Sequence, residues 1–462
     1  MNRLNRITRR LSVAFASFAL LGPQWVAGIA FAGQPGWNES KWLTEMSVGA
    51  KESFDDNLLG VSGHGLPTHS SWVNAWSPKV GLNLLPMLPE QRTIQMFSFI
   101  YQPEVVSYSG ASEENYTAHK INTTLKGKAG ALTFSLDNSF LYNDGNKVAP
   151  TYALNQIAGA AANQNDKYRS NYANALPRER RNQDQDRYAT QLQYNLGSFF
   201  VRPASALVFY DLHTYQANTG AAPFKGYQNY CDRYDLNSGV DLGYKFAPEA
   251  AVTVGYRTGY QYQERFAPTI SSDQHYASNH YQRLLVGLEG KLAGWITVKV
   301  VAGSDFHDYN PNAPVGNLNV RRLYGDAVST LIISPHQSVY LNFKQWLFLS
   351  STGLAPYNDI TYSLAYHFGA TKNLGLDFGV KRQEADFRMG NDFLGSAPCQ
   401  RDDIDYGTTG SANYTFSPQF SGSVTINFDL ARNGAKDLAA TYAPSYREFD
   451  HKVVALAAQY RF

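Results

Sequence analysis

The chain has 462 residues, of which 14% are aromatic and only 17% charged, with a formal net charge of +2. Near-neutrality gives no argument for a nucleic-acid partner, and two cysteines, Cys231 and Cys399, are too few for a disulfide framework in an exported protein of this size. Beyond the N-terminal stretch, no continuous apolar run reaches the roughly 20 residues that a helical membrane span needs.

The chain opens with Arg3, Arg6, Arg9 and Arg10 ahead of apolar residues 11–21 and 25–31, and Ala30-Phe31-Ala32 forms a small-x-small site. A basic start, an apolar middle and a small-residue cut make a secretory signal peptide, so residues 1–32 are expected to be removed. An uncleaved anchor helix is the rival reading, and Gly22-Pro23-Gln24 interrupts it. Residues 33–462 then form the mature domain. Only about ten residues separate Gly33 from the first strand, which argues against a plug domain and an energised 22-stranded transporter.

From there the dominant signal is strand alternation. Leu132, Phe134, Leu136, Phe140 and Tyr142 stand against Thr133, Ser135, Asp137 and Ser139. Leu236, Val240, Leu242, Tyr244 and Phe246 oppose Asp235, Asn237, Asp241 and Lys245, and later Val424, Ile426, Phe428 and Leu430 oppose Ser423, Thr425, Asn427 and Asp429. Runs of about ten residues suit a tilted strand crossing a membrane.

A soluble sandwich also alternates, so the connections must decide. Short ones, at 86–91, 127–130, 195–198, 247–249, 293–294, 334–337, 369–372 and 417–419, alternate with longer polar ones at 52–70, 143–184, 217–228, 265–279, 389–401 and 431–444. Strict alternation puts every short turn on one side of the sheet, as in transmembrane barrels with short periplasmic turns and long outer loops. The expected fold is all-β, a single antiparallel barrel of about 18 strands, between 16 and 20, with both ends on the short-turn side. Aromatics such as Tyr194, Tyr244, Phe246, Trp295, Tyr366, Phe368, Tyr414 and Phe416 flank the short turns, where amphipathic rings favour the headgroup level.

A barrel of that width holds an aqueous lumen. The inward ladders supply pore-lining candidates Arg257, Arg265, Arg283, Glu289, Lys299, Lys344, Asp377 and Lys381. Connection 143–184, the third outer loop, is far beyond the usual length and supplies constriction candidates Lys167, Arg169, Arg178, Arg180, Arg181 and Asp184, with Asp186 just beyond. The expectation is that the arginines face acidic groups across a narrowing, where fixed charges select by sign. A mobile surface loop with solvated charges is the alternative.

Signals for metal or catalysis are poor. Asp402-Asp403-Ile404-Asp405 and Asp184-Gln185-Asp186 match no twelve-residue calcium loop, and His64 and His69 lack a third ligand. Neither G-x-S-x-G nor H-E-x-x-H occurs. No cofactor, metal site or enzymatic activity is expected.

At the C-terminus, Val454, Leu456, Ala458, Tyr460 and Phe462 fall on one face of a strand and Val453, Ala455, Ala457, Gln459 and Arg461 on the other. This strand resembles the closing strand of bacterial outer-membrane β-barrels, and the resemblance implies that Tyr460 and Phe462 act as an assembly signal read by the barrel assembly machinery. It should close the barrel against the strand near 42–51. Gly49-Ala50-Lys51-Glu52-Ser53-Phe54-Asp55-Asp56-Asn57-Leu58, followed by Ser71-Trp72-Val73-Asn74-Ala75-Trp76-Ser77-Pro78-Lys79-Val80-Gly81-Leu82, resembles the opening hairpin of a family of uncharacterised porin-like outer-membrane barrels. That resemblance covers about a tenth of the chain, and Phe54 stands where the family has Tyr. It implies a porin-like channel in the outer membrane of a Gram-negative bacterium, in contact with lipid and small polar solutes. Trimers are common among porins, although no interface is legible in this sequence. A polysaccharide export barrel and a loop-closed structural or adhesive barrel are the other readings.

Overall fold

The computed structural model describes residues 42–58, 60, 68–88, 93–149, 180–216, 227–228, 232–264, 277–309, 320–349, 356–386, 402–433 and 448–462. The leader expected at 1–32, both cysteines, Arg265, Lys167, Arg169 and Arg178 lie outside these residues. Eighteen strands form one sheet. They are Leu43–Asp55 (β1), Ser71–Asn83 (β2), Ile94–Tyr108 (β3), Tyr116–Ala129 (β4), Leu132–Asn143 (β5), Gln183–Leu196 (β6), Phe199–Leu212 (β7), Arg233–Ala247 (β8) and Ala250–Gln263 (β9). Then come Asn279–Ala293 (β10), Ile296–Tyr309 (β11), Val320–Ser334 (β12), Gln337–Phe348 (β13), Tyr357–Gly369 (β14), Leu374–Asp386 (β15), Asp402–Thr415 (β16), Phe420–Asn433 (β17) and Phe449–Arg461 (β18).

Each strand pairs antiparallel with its sequence neighbours, and β18 returns to β1 with Ser47 opposite Arg461 and Asp55 opposite Val453. The sheet is therefore closed and has no edge strand exposed along its length, as a barrel in hydrocarbon requires. The strand count and the closing pair match the sequence expectation. Three pairs of residues, Val148–Ala149, Tyr215–Gln216 and Tyr227–Gln228, make a separate small sheet on the long-connection side.

The short connections lie between β2 and β3, β4 and β5, and onward by twos, and all fall at one end. Five are only two residues long, and two of these, Gly130-Ala131 and Gly197-Ser198, open on a glycine of positive φ. Their glycines have φ of +60 and +65, a left-handed conformation that most side chains avoid and that twists the chain in the hand a hairpin needs. The turn expected at 127–130 thus begins at Gly130, with Gly127 still in β4.

Candidate functional site

Because side chains alternate along a strand, the barrel has one outward and one inward face. The outward face is an apolar belt. Leu242, Val254, Val286 and Leu456 point out with 59%, 62%, 64% and 59% of their surface exposed. Aromatic rings bound the belt on both sides: Phe199–Tyr244 at 5.1 Å and Phe416–Phe420 at 5.2 Å by the short turns, Phe54–Trp72 at 5.4 Å and Tyr234–Tyr262 at 5.1 Å by the long connections. A continuous exposed apolar surface rimmed by amphipathic rings is unstable in water and suits a bilayer. Tyr460 and Phe462 belong to the short-turn girdle, with centroids 5.1 Å apart.

The inward face is polar and uneven. On β16 and β17 every inward residue from Asp403 to Asn413 and from Ser421 to Ala431 is half-buried, as on the wall of an open space. At the outer ends of β8 to β11 the inward residues form a buried polar core instead. Gln261, Asn279, Asp305 and Tyr281 are at most 1% exposed. Asp235 accepts from the Tyr281 hydroxyl at 2.8 Å and from the Gln261 amide at 2.7 Å, and Asn279 donates to Gln261 at 3.1 Å. Arg283 holds Asp305 through two bonds of 2.5 and 2.7 Å and lies over the Tyr324 ring at 3.6 Å. Tyr281 fits because Gly259 faces it: a Cβ there would stand 2.3 Å from the ring.

Across from this core, the outer end of β13 separates from β12 while staying paired with β14 as far as Phe348 opposite Tyr357. Its ladder with β12 ends at Gln345 opposite Gly325, although β12 runs on to Val320. Beyond Gln345 the chain leans over the lumen. Gln261 on β9 donates to the Leu347 carbonyl at 3.0 Å, and Arg233 on β8 donates to the Leu349 carbonyl. Leu347 and Leu349 pack with Ala277, Tyr309 and Val320 on one side, while Phe348 meets Tyr210, Trp346 and Tyr357 on the other. The outer mouth is thereby filled on this flank and narrowed toward β14 to β18.

Closer to the short turns, Arg202 binds Glu289 bidentately at 2.6 and 2.9 Å and reaches Asp241 at 3.1 Å, and Arg257 joins Asp241 at 2.7 Å. These four charges neutralise one another across β7 to β10. Of the remaining sequence-derived lining residues, Lys299 is exposed on the inward face of β11. Lys344 lies over the Trp346 ring at 4.6 Å, and Lys381 pairs with Asp405 at 3.1 Å. Asp377 accepts from His367 at 2.7 Å, Ser411 at 3.3 Å and Asn413 at 2.7 Å. The Ser411 hydroxyl goes to the carboxylate and not to the imidazole, so this trio lacks the nucleophile-to-base bond of a hydrolase.

Arg180 and Arg181 sit where the long third connection rejoins the wall. Arg181 is fully buried and donates to Glu114 at 2.9 Å, and Arg180 reaches Glu114 at 3.3 Å and the Leu58 carbonyl. Glu114 comes from the neighbouring connection between β3 and β4, so this pair of charges ties adjacent connections together. Asp184 and Asp186, expected to face a constriction, instead stand on the outward face of β6. Their register explains it: they lie an even number of residues from Leu192 and Tyr194 on the same strand and so share their face, where those two are 46% and 50% exposed.

Asp184 also belongs to a group the sequence did not reveal. Asp184, Asp211 and His213 bring one ligand-type atom each within 4.8 Å of one another at the outer rim. Three donors are one short of a closed tetrahedral zinc site. The hydrogen bond to Asp184 holds the His213 imidazole above its ordinary range, with Asp211 and Asp232 acting the same way. Burial pushes the Asp232 carboxyl up to about 7, Asp211 and Glu264 adding to the rise and the Leu212 amide opposing it. Only the strand register, which sets Asp184 opposite Asp211, makes the cluster visible.

No protein-family model matches the chain, and no curated protein matches it. Among solved structures it is similar to OccAB4 of Acinetobacter baumannii, at 11% identity, covering 92% of this chain and 100% of that one with a TM-score of 0.42. It is similar to OccK2 (OpdF) of Pseudomonas aeruginosa in complex with glucuronate, at 11% identity over 90% and 98% with a TM-score of 0.41. The siderophore receptor PirA of Acinetobacter baumannii follows at 9% identity, over 92% and 81%, with a TM-score of 0.41. The barrel assignment rests on this chain's own strand pairings.

Proposed function

We propose that the chain is a channel for passive diffusion of small hydrophilic solutes across the outer membrane of a Gram-negative bacterium, working without cofactor or energy input. The observation that carries this reading is the unbroken polar wall of β16 and β17. Thr409, Ser411, Ser423, Thr425 and Asn427 follow one another along it, half-buried and small, beside a core that fills the opposite flank. A wall of hydroxyls and amides exchanges hydrogen bonds with a hydrated solute at little cost, and acidic groups at its outer end, Asp403, Asp405 and Asp429, bias entry by charge. In this reading the barrel assembly machinery inserts the chain through the strand that ends in Tyr460 and Phe462. Liposome swelling tests the proposal. Vesicles bearing the folded protein should swell in small neutral sugars, and vesicles that stay impermeable would reject it.

A further inference from the structure

We propose that Gln261 and Arg233 set the size cut-off of this channel by fastening the peeled outer end of β13 across its mouth. The inference rests on the diffusion-channel reading above. From Trp346 onward β13 has lost β12 as a partner, and backbone carbonyls two residues apart point to the same vacated side. A carbonyl left without a donor inside a barrel is costly. Gln261 on β9 supplies one for Leu347 and Arg233 on β8 one for Leu349, from strands separated from β13 by three and four others. The guanidinium of Arg233 also lies over the Tyr210 and Phe348 rings, at 4.7 and 4.6 Å, so one side chain holds both the backbone and the wedge behind it. Leu347 is fully buried and Leu349 is 1% exposed, which makes this segment part of the wall for as long as both donors hold it.

The fastening is specific in its chemistry. Gln261 divides its amide between Asp235 and Leu347, while its carbonyl accepts from Asn279, so all its polar groups are engaged. A shorter amide keeps the bonds nearer its own strand and gives up the distant one. That sets the latch apart from the core that supports it.

The test is single-channel conductance and sugar-size exclusion of the full-length protein, for wild type, Gln261→Asn and the double variant Gln261→Met with Arg233→Met, each checked for heat-modifiable migration as a folded barrel. Released, the segment should swing toward its own wall, raising conductance and shifting exclusion to larger sugars, more in the double variant. Gln261→Asn keeps an amide for Asp235, so it reads out the latch even where the double variant does not fold. Wild-type currents with an unchanged cut-off in folded Gln261→Asn would overturn the latch and leave the channel reading standing. A silent wild type would overturn the channel reading, and the latch with it.

Discussion

The rings of Tyr210 and Phe348 meet edge to face, with centroids 6.4 Å apart and planes at 62°, although one belongs to β7 and the other to β13. Strands this far apart in an 18-stranded sheet touch only if something leaves the wall. Here it is β13, and the contact divides the outer lumen into a filled flank over β8 to β12 and an open one along β14 to β18.

If the open flank is the path, a bulky residue placed there should block it. Thr425→Trp, in the middle of the β17 wall, is expected to lower single-channel conductance strongly without loss of folded barrel. Asp403→Asn with Asp405→Asn, at the outer end of the same flank, should shift ion preference toward anions, read as a change in reversal potential under a salt gradient. Unaltered conductance in Thr425→Trp would place the path elsewhere.

The polar core carries a stability prediction. Arg283 and Asp305 are 6% and 0% exposed and joined by two hydrogen bonds. Removing one partner by Asp305→Ala strands the other charge in a poorly solvated site, at a cost of about 3 to 5 kcal/mol. The double variant Arg283→Leu with Asp305→Ala should recover much of the loss. Urea titration of the folded barrel in detergent, followed by the heat-modifiable band, measures both, and equal losses in the two variants would contradict the account.

Much of the architecture was legible because alternation, turn spacing and the greasy closing strand are all consequences of a period of two imposed by two different solvents. The connections at 109–115, 310–319 and 349–356 are not among those the sequence pattern marks, yet the strand count holds because the flanking strands alternate clearly. What escaped was every feature that depends on contacts between distant strands. Trp346-Leu347-Phe348-Leu349 is apolar on both faces, a break in alternation that in retrospect marks a segment packed on both sides. Arg180 and Arg181 are expected either to face acidic groups across a narrowing or to be solvated on a surface loop, and only the fold identifies Glu114 as their partner. Asp184 falls at the end of the connection expected at 143–184, with Asp186 just beyond, whereas their strand begins at Gln183, a difference within the uncertainty of any boundary read from pattern.

At the outer rim the sign of the pH effect follows from two groups. Both His213 and Asp232 are held above their ordinary values, so each contributes stability at low pH. Asp232 loses its contribution as pH rises from the usual carboxylate range through about 7, and His213 loses its own as pH rises above the usual imidazole range. Amide exchange at 211–213 and 232 should therefore quicken from pH 5 to pH 9 beyond the intrinsic base-catalysed rate. Asp232→Asn should flatten the lower part of that dependence, and a rim that becomes better protected at high pH would show the sign to be wrong.

At the seam, the Phe462 amide donates to the Met46 carbonyl at 3.0 Å, and its ring rests against Tyr460 in the short-turn girdle. Deleting Phe462 removes both contacts from the last ladder position while leaving the lumen untouched. The expected outcome is a lower yield of heat-modifiable barrel in the membrane, with ion preference unchanged in the barrels that form. Normal barrel levels would argue that closure does not depend on this residue.

The most direct test of the central claim is current through single molecules of the wild-type protein in planar bilayers. Stable open steps that rise with salt concentration and are partly blocked by small sugars are predicted. Complete electrical silence from protein shown to be a folded, inserted barrel would mean that the filled flank extends across the whole lumen, and would contradict the channel.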